Sequence, residues 1–118
     1  MARTELTAAV VPNTNPGGEV EYLWEVADIV NQNAMGMSGR EVLLIKNTGV
    51  VSRDVTIASV PDTFGRIGDL TVSVPAGEER TLAFLNRAGW MQGDGTLYLD
   101  CPSTDISYAV LRLPTRPA

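Results

Sequence analysis

The stretch Glu41-Val42-Leu43-Leu44-Ile45-Lys46-Asn47 decides the fold class. It is short, rich in branched side chains and bounded by Gly39 and Gly49, the signature of a strand buried in the middle of a sheet. The next run, Arg53 to Ser59, alternates. Val55 and Ile57 face one way, Asp54 and Thr56 the other, and Thr48 to Ser52 between the two runs is long enough for a hairpin loop. Leu70-Thr-Val-Ser-Val74 alternates cleanly, with Leu70, Val72 and Val74 expected inward. Pro75-Ala-Gly-Glu78 then turns the chain, because proline fixes φ and glycine permits positive φ. Glu79 to Phe84 reads as the returning strand of a hairpin, with Leu82 and Phe84 on one face.

Further along, Gly93-Asp-Gly95 is a turn signal, Thr96 to Asp100 the strand after it, and Ser107 to Leu113 a last strand stopped by Pro114. Glu5 to Val11 and Val20 to Val26 are candidates near the start. About eight short strands at regular turn spacing predict an all-β domain, a β-sandwich or jelly-roll-like barrel of antiparallel strands with little helix. Val26 to Val30 reads as one helical turn or a strand extension, and Asn86 to Met91 as a short turn of helix or an irregular loop. Asn31 to Gly39 has no period and two glycines, and reads as a long loop of the kind that carries binding.

The chain of 118 residues fits one domain, 1–118, with short extended arms at both ends. Pro114-Thr-Arg-Pro117 cannot pair fully in a sheet, since proline has no N–H. Apolar residues make up 44% and charged residues 19%, a globular balance, and the net charge is −5. The basic residues are spread singly, which argues against nucleic acid as a partner. No apolar run approaches a membrane span, and no secretory leader opens the sequence, so synthesis in the cytosol is expected.

Chemistry is sparse. There is no histidine. That removes the commonest general base and metal ligand and excludes triads built on histidine, so no enzyme and no cofactor is expected. Cys101, the only cysteine, reads as a small apolar core residue. Glu19, Glu21 and Glu25 would share one strand face by period two, with Tyr22 and Trp24 turned inward. Without an accompanying Ca²⁺ loop they read as a solvated face. Asp94 is more simply a turn residue than a metal ligand. Trp90, in a glycine-rich stretch, is either a plug over the end of the core or a platform for a sugar.

A resemblance carries the reading further. Met1-Ala-Arg-Thr-Glu-Leu-Thr7 resembles the opening of small proteins encoded beside major capsid genes in tailed phages. Gly39-Arg-Glu-Val-Leu-Leu-Ile-Lys-Asn-Thr48, Val55-Thr-Ile57 with Leu70-Thr-Val-Ser-Val-Pro-Ala-Gly77, Gly93 to Asp100 and Ala109 to Leu113 are similar, in the same order, to the strands and turns of that family of capsid decoration, or cement, proteins. The likeness spans nearly the whole chain and departs from the family after residue 18 and around Trp90. It implies a virion protein on the outer surface of an icosahedral head, with the major capsid protein and its own copies, as a homotrimer, for partners. The alternatives are a carbohydrate- or protein-binding β-sandwich module and another phage structural component of tail or fibre. The contact candidates are the N-terminal arm (Ala2, Arg3, Thr4, Glu5, Leu6), Met35, Met37 and Arg40 in or beside the 31–39 loop, Phe64 and Arg66, and Trp90.

Overall fold

Ten strands form in a computed structural model of the chain, which describes residues 3–11, 21–61, 64–65, 67–84 and 89–113. They are β1 (Thr4–Glu5), β2 (Ala8–Val10), β3 (Glu25–Val26), β4 (Asn33–Gly36), β5 (Glu41–Asn47), β6 (Arg53–Ile57), β7 (Leu70–Val74), β8 (Glu79–Phe84), β9 (Thr96–Asp100) and β10 (Ile106–Arg112). No helix occurs among the described residues. The strands build two sheets. Sheet A runs β1-β4-β9-β6-β7, sheet B runs β2-β10-β5-β8, and β3 shares the free edge of β10 with β2.

The order is that of a rolled ribbon. β6 pairs β7, β5 pairs β8, β4 pairs β9 and β3 pairs β10, all antiparallel. These are the rungs of one long hairpin folded over itself. The two faces are stitched by β6 beside β9 and β10 beside β5, again antiparallel. That wiring is the eight-stranded jelly roll, and it leaves no strand of the core parallel to its neighbour. The other two strands are the N-terminal arm. Thr4–Glu5 adds in parallel to β4 on sheet A, and Ala8–Val10 adds in parallel to β10 on sheet B. The expected single strand over Glu5 to Val11 is therefore two short strands in different sheets, because the chain crosses from one to the other at Leu6 and Thr7.

Two expected hairpins are corners instead. β5 lies in sheet B and β6 in sheet A, and β7 and β8 divide the other way. The turn chemistry at Thr48 to Ser52 and Pro75 to Glu78 does stop the strands. It carries the chain over the sandwich rather than back beside itself. Asn47, 1% exposed, holds both corners. Its side-chain amide donates to the carbonyls of Val51 (2.8 Å) and Val74 (2.9 Å), and its Oδ1 accepts from Gly49 N–H (2.9 Å). Its backbone N–H donates to Glu78 and its carbonyl accepts from Gly77, both at 3.0 Å. Gly77 turns there at φ 73°, a region open to glycine.

The core lies between the sheets. Leu43 and Ile45 of β5, Val55 and Ile57 of β6, Val74, Leu97 and Leu99, and Ile106, Tyr108 and Val110 of β10 have at most 1% exposure and pack as one cluster. Val55 and Ile57 turn inward as their alternation predicts, while Leu70 at the start of edge strand β7 stays exposed and Val72 is half-buried. The loop expected over 31–39 contains a strand. Asn33–Gly36 is β4, an inner strand of sheet A, and Met35 and Met37 are buried in the core. Over 26–30 no helix forms: Val26 ends β3 and a turn begins at Ile29. Tyr22 is exposed and Trp24 half-buried, so neither faces inward as expected. The strand at this point is only Glu25–Val26, at a sheet edge, and Trp24 lies under the Lys46 ammonium (4.2 Å to the ring centre) on the outer side of sheet B, with the Tyr22 ring edge-on at 5.9 Å.

Candidate functional site

The N-terminal arm is built into the body of the protein. Arg3 reaches from the start of β1 across the outer face of sheet A. It bonds Asp100 of β9 and the Asn33 carbonyl and lies 4.1 Å over the Tyr98 ring. The Thr4 hydroxyl donates to Asp28, Thr4 N–H donates to the Gln32 carbonyl (2.9 Å) and Leu6 N–H to the Ala34 carbonyl (2.8 Å). Glu5 is exposed, but Leu6 is 5% exposed and belongs to the core. The expected free docking arm is thus corrected at Leu6, a core side chain, while Arg3 and the still exposed Thr4 bond other parts of the same chain. Ala2 lies outside the described residues, as do Glu19, Arg66 and the C-terminal arm from residue 114.

Met35 and Met37 are likewise corrected from adaptable surface contacts to core side chains. Arg40 stands at the mouth of a tight anchor, its guanidinium donating to the Leu113 carbonyl (3.3 Å) and its N–H to Glu41 (3.2 Å). Sequence reasoning passed over Glu41, which has no solvent exposure. Its Oε1 accepts from the N–H groups of Ser38 (2.7 Å), Gly39 (3.1 Å) and Arg40, and its Oε2 from the Ser38 hydroxyl (2.8 Å) and Arg112 Nε (2.7 Å). Burial pushes this carboxyl up. The Arg112 guanidinium and the Ser38 donors outweigh that and hold it below its ordinary range. The available signal was a glutamate opening a buried strand directly after Ser-Gly-Arg. Phe64 is 79% exposed, and Trp90 is partly buried against the core, as the plug reading requires.

Two surface features remain. A shallow cleft of about 360 Å³ on the outer face of sheet A is lined by Gln32, Asp54, Thr56, Asp100, Cys101 and Pro102. Gln32 holds a positive φ of 62°, rare for a side-chain-bearing residue. Its own amide holds it there, accepting from Cys101 N–H (2.9 Å) and donating to the Ile29 carbonyl (3.2 Å). Cys101 sits at the base of the cleft, 3% exposed, and burial raises its thiol above the ordinary value. No group of three Asp, Glu or Cys side chains that could hold a metal occurs among the described residues.

The second feature is an apolar rim. Val10 on β2, Val26 on β3, Tyr22 and Leu23 before it, and Ile29 and Val30 in the turn after it are all exposed, Val26 at 61% and Val30 at 75%. β3 lies along one side of β10 with Val26 opposite Ser107, so the exposed residues of 22–30 lie at that edge of sheet B, whereas Val10, opposite Arg112 five residues further along β10, points to the other face of the sheet. Single exposed apolar residues are ordinary on any protein, whereas several gathered along one edge mark a surface that another molecule covers. The rim was hidden in the sequence because Tyr22, Leu23 and Val26 look like core when that segment is read as a full strand. No family model matches the chain, and no curated protein or solved structure matches it.

Proposed function

We propose that this chain is a non-catalytic structural protein of the virion, a decoration or cement protein that docks on the outer surface of an icosahedral tailed-phage head formed by the major capsid protein. The observation that carries the reading is the apolar rim of sheet B on an otherwise acidic jelly roll. A rigid double sheet stapled by its own arm needs no cofactor and no disulfide to present that rim, and an acidic exterior repels spilled DNA. The family resemblance of the sequence supplies the identity of the covered surface.

The test uses empty shells assembled from the major capsid protein of the phage or prophage that carries the gene. The wild-type chain is expected to co-sediment with them at stoichiometric occupancy and to raise their melting temperature. The doubly substituted Val26→Glu, Val30→Glu protein should keep its own melting temperature, since both side chains are already in water, and should lose binding. A wild-type chain that ignores the shells overturns the reading. The second reading, a carbohydrate-binding module, has the sheet A cleft in its favour. Against it stands the Tyr98 ring, which Arg3 covers and so withholds from a stacking sugar. A glycan titration followed by tryptophan fluorescence tests it.

A further inference from the structure

Sheet A ends on β7, and no described strand pairs the far side of it. An unpaired edge offers a row of N–H and C=O groups to any extended chain, and proteins usually blunt such edges with lysine, proline or a bulge. β7 carries none of these devices. Leu70-Thr-Val-Ser-Val74 has no charged side chain over its whole length, and Leu70, Thr71 and Ser73 are exposed. The other edges differ. β8 starts with Glu79 and Arg80, β1 contains Glu5 beside Arg3, and the β2–β3 edge is interrupted between two strands of opposite direction.

We propose that β7 pairs antiparallel with β7 of a second copy of this chain about a two-fold axis at Val72, joining two A sheets into one continuous sheet. The strand is complementary to itself in that register. Leu70 meets Val74 of the other copy, Thr71 meets Ser73, and Val72 meets Val72. Hydroxyl pairs and branched apolar pairs directly opposite are favourable cross-strand partners. Charge selects the same edge. Copies of a chain with net charge −5 repel one another, and β7 is where they can meet without placing like charges opposite. Asp69, the residue before β7, falls opposite Pro75 of the other copy, and the nearest carboxylate on the neighbouring strand is Asp54, beside Ser73 on β6. In the joined sheet it lies three strand spacings from its mate, roughly 14 Å, beyond the screening length of about 8 Å at physiological salt. The contact is isologous and closes at two copies, in place of the trimer that the family resemblance implies. It uses the sheet edge opposite the arm and is independent of shell docking through the sheet B rim.

The experiment is sedimentation equilibrium of the full chain at concentrations up to about 1 mM, with Thr71→Lys, Ser73→Lys and Thr71→Lys, Ser73→Glu as paired variants and circular dichroism to verify folding. Wild type is expected to form a dimer. The first pair sets ammonium groups opposite one another twice across the axis and should weaken the dimer by about tenfold. The second pair sets an ammonium opposite a carboxylate and should restore it. A wild-type chain that stays monomeric or forms a trimer, or a dimer indifferent to both pairs, overturns the proposal.

Discussion

A carboxylate with no solvent exposure persists at position 41 because five donors surround it, three of them backbone N–H groups of the turn that precedes it. Arg112 is one-third exposed and can fall back on water when its partner is lost, so the cost of breaking the pair stays below that of a fully buried one. Glu41→Gln is expected to destabilise the fold by about 2 kcal/mol, read by urea denaturation. The sign of the pH dependence follows from the lowered folded pKa. The stabilisation is complete above the ordinary value of 4.5 and drains away as pH falls through the lower folded value. Asp28, held down by the Thr4 hydroxyl and by the Asn31 and Val30 N–H groups, acts in the same direction and ties the arm to the turn. The melting temperature should therefore be flat between about pH 7 and about pH 5 and fall below pH 4.5, with a shallower acid limb in Glu41→Gln. Cys101, buried and with its thiol pushed up, should resist alkylation in the native protein and react only in denaturant.

At the scale of elements, the corners and the arm decide stability. Asn47 satisfies groups on both sheet-to-sheet corners, so Asn47→Ala removes its bonds to the buried Val74 carbonyl, to the carbonyl of exposed Val51 and to the Gly49 N–H. A loss of about 3 kcal/mol is expected, measurable as a shift in the urea midpoint at constant slope. The arm contributes through Leu6, which closes the core where the chain changes sheets. Leu6→Ala should cost about 2–4 kcal/mol, whereas a free arm that orders only on a neighbour would make the substitution silent in the isolated protein. β4 was the least legible strand. Asn-Ala-Met-Gly has no alternation to detect, because Asn33, Ala34 and Met35 are all buried between β1 and β9, and the one signal was Met35 and Met37 at a spacing of two.

Across the whole molecule the pairings are long-range. Val26 at one end of the ribbon meets Ser107 at the other, and every strand of the core waits for a partner far along the chain except β6 and β7. Such topologies pay loop-closure entropy before contacts reward it, and refolding in roughly milliseconds to seconds is expected by stopped-flow fluorescence. A single phase in microseconds would contradict the wiring.

The sequence by itself determined the all-β class, most strand positions and the absence of histidine chemistry. These follow from local alternation, from glycine and proline punctuation, and from composition, each readable within a few residues. Only the tertiary structure decided that Thr48 to Ser52 and Pro75 to Glu78 are corners rather than hairpins, that Leu6 of the arm and both methionines belong to the protein's own core, and that the exposed apolar residues of 22–30 gather at one edge of sheet B. A turn signal states where a strand must stop. Which sheet receives the next strand, and which side chains are left in water, depends on partners from distant parts of the chain, and no local pattern encodes those.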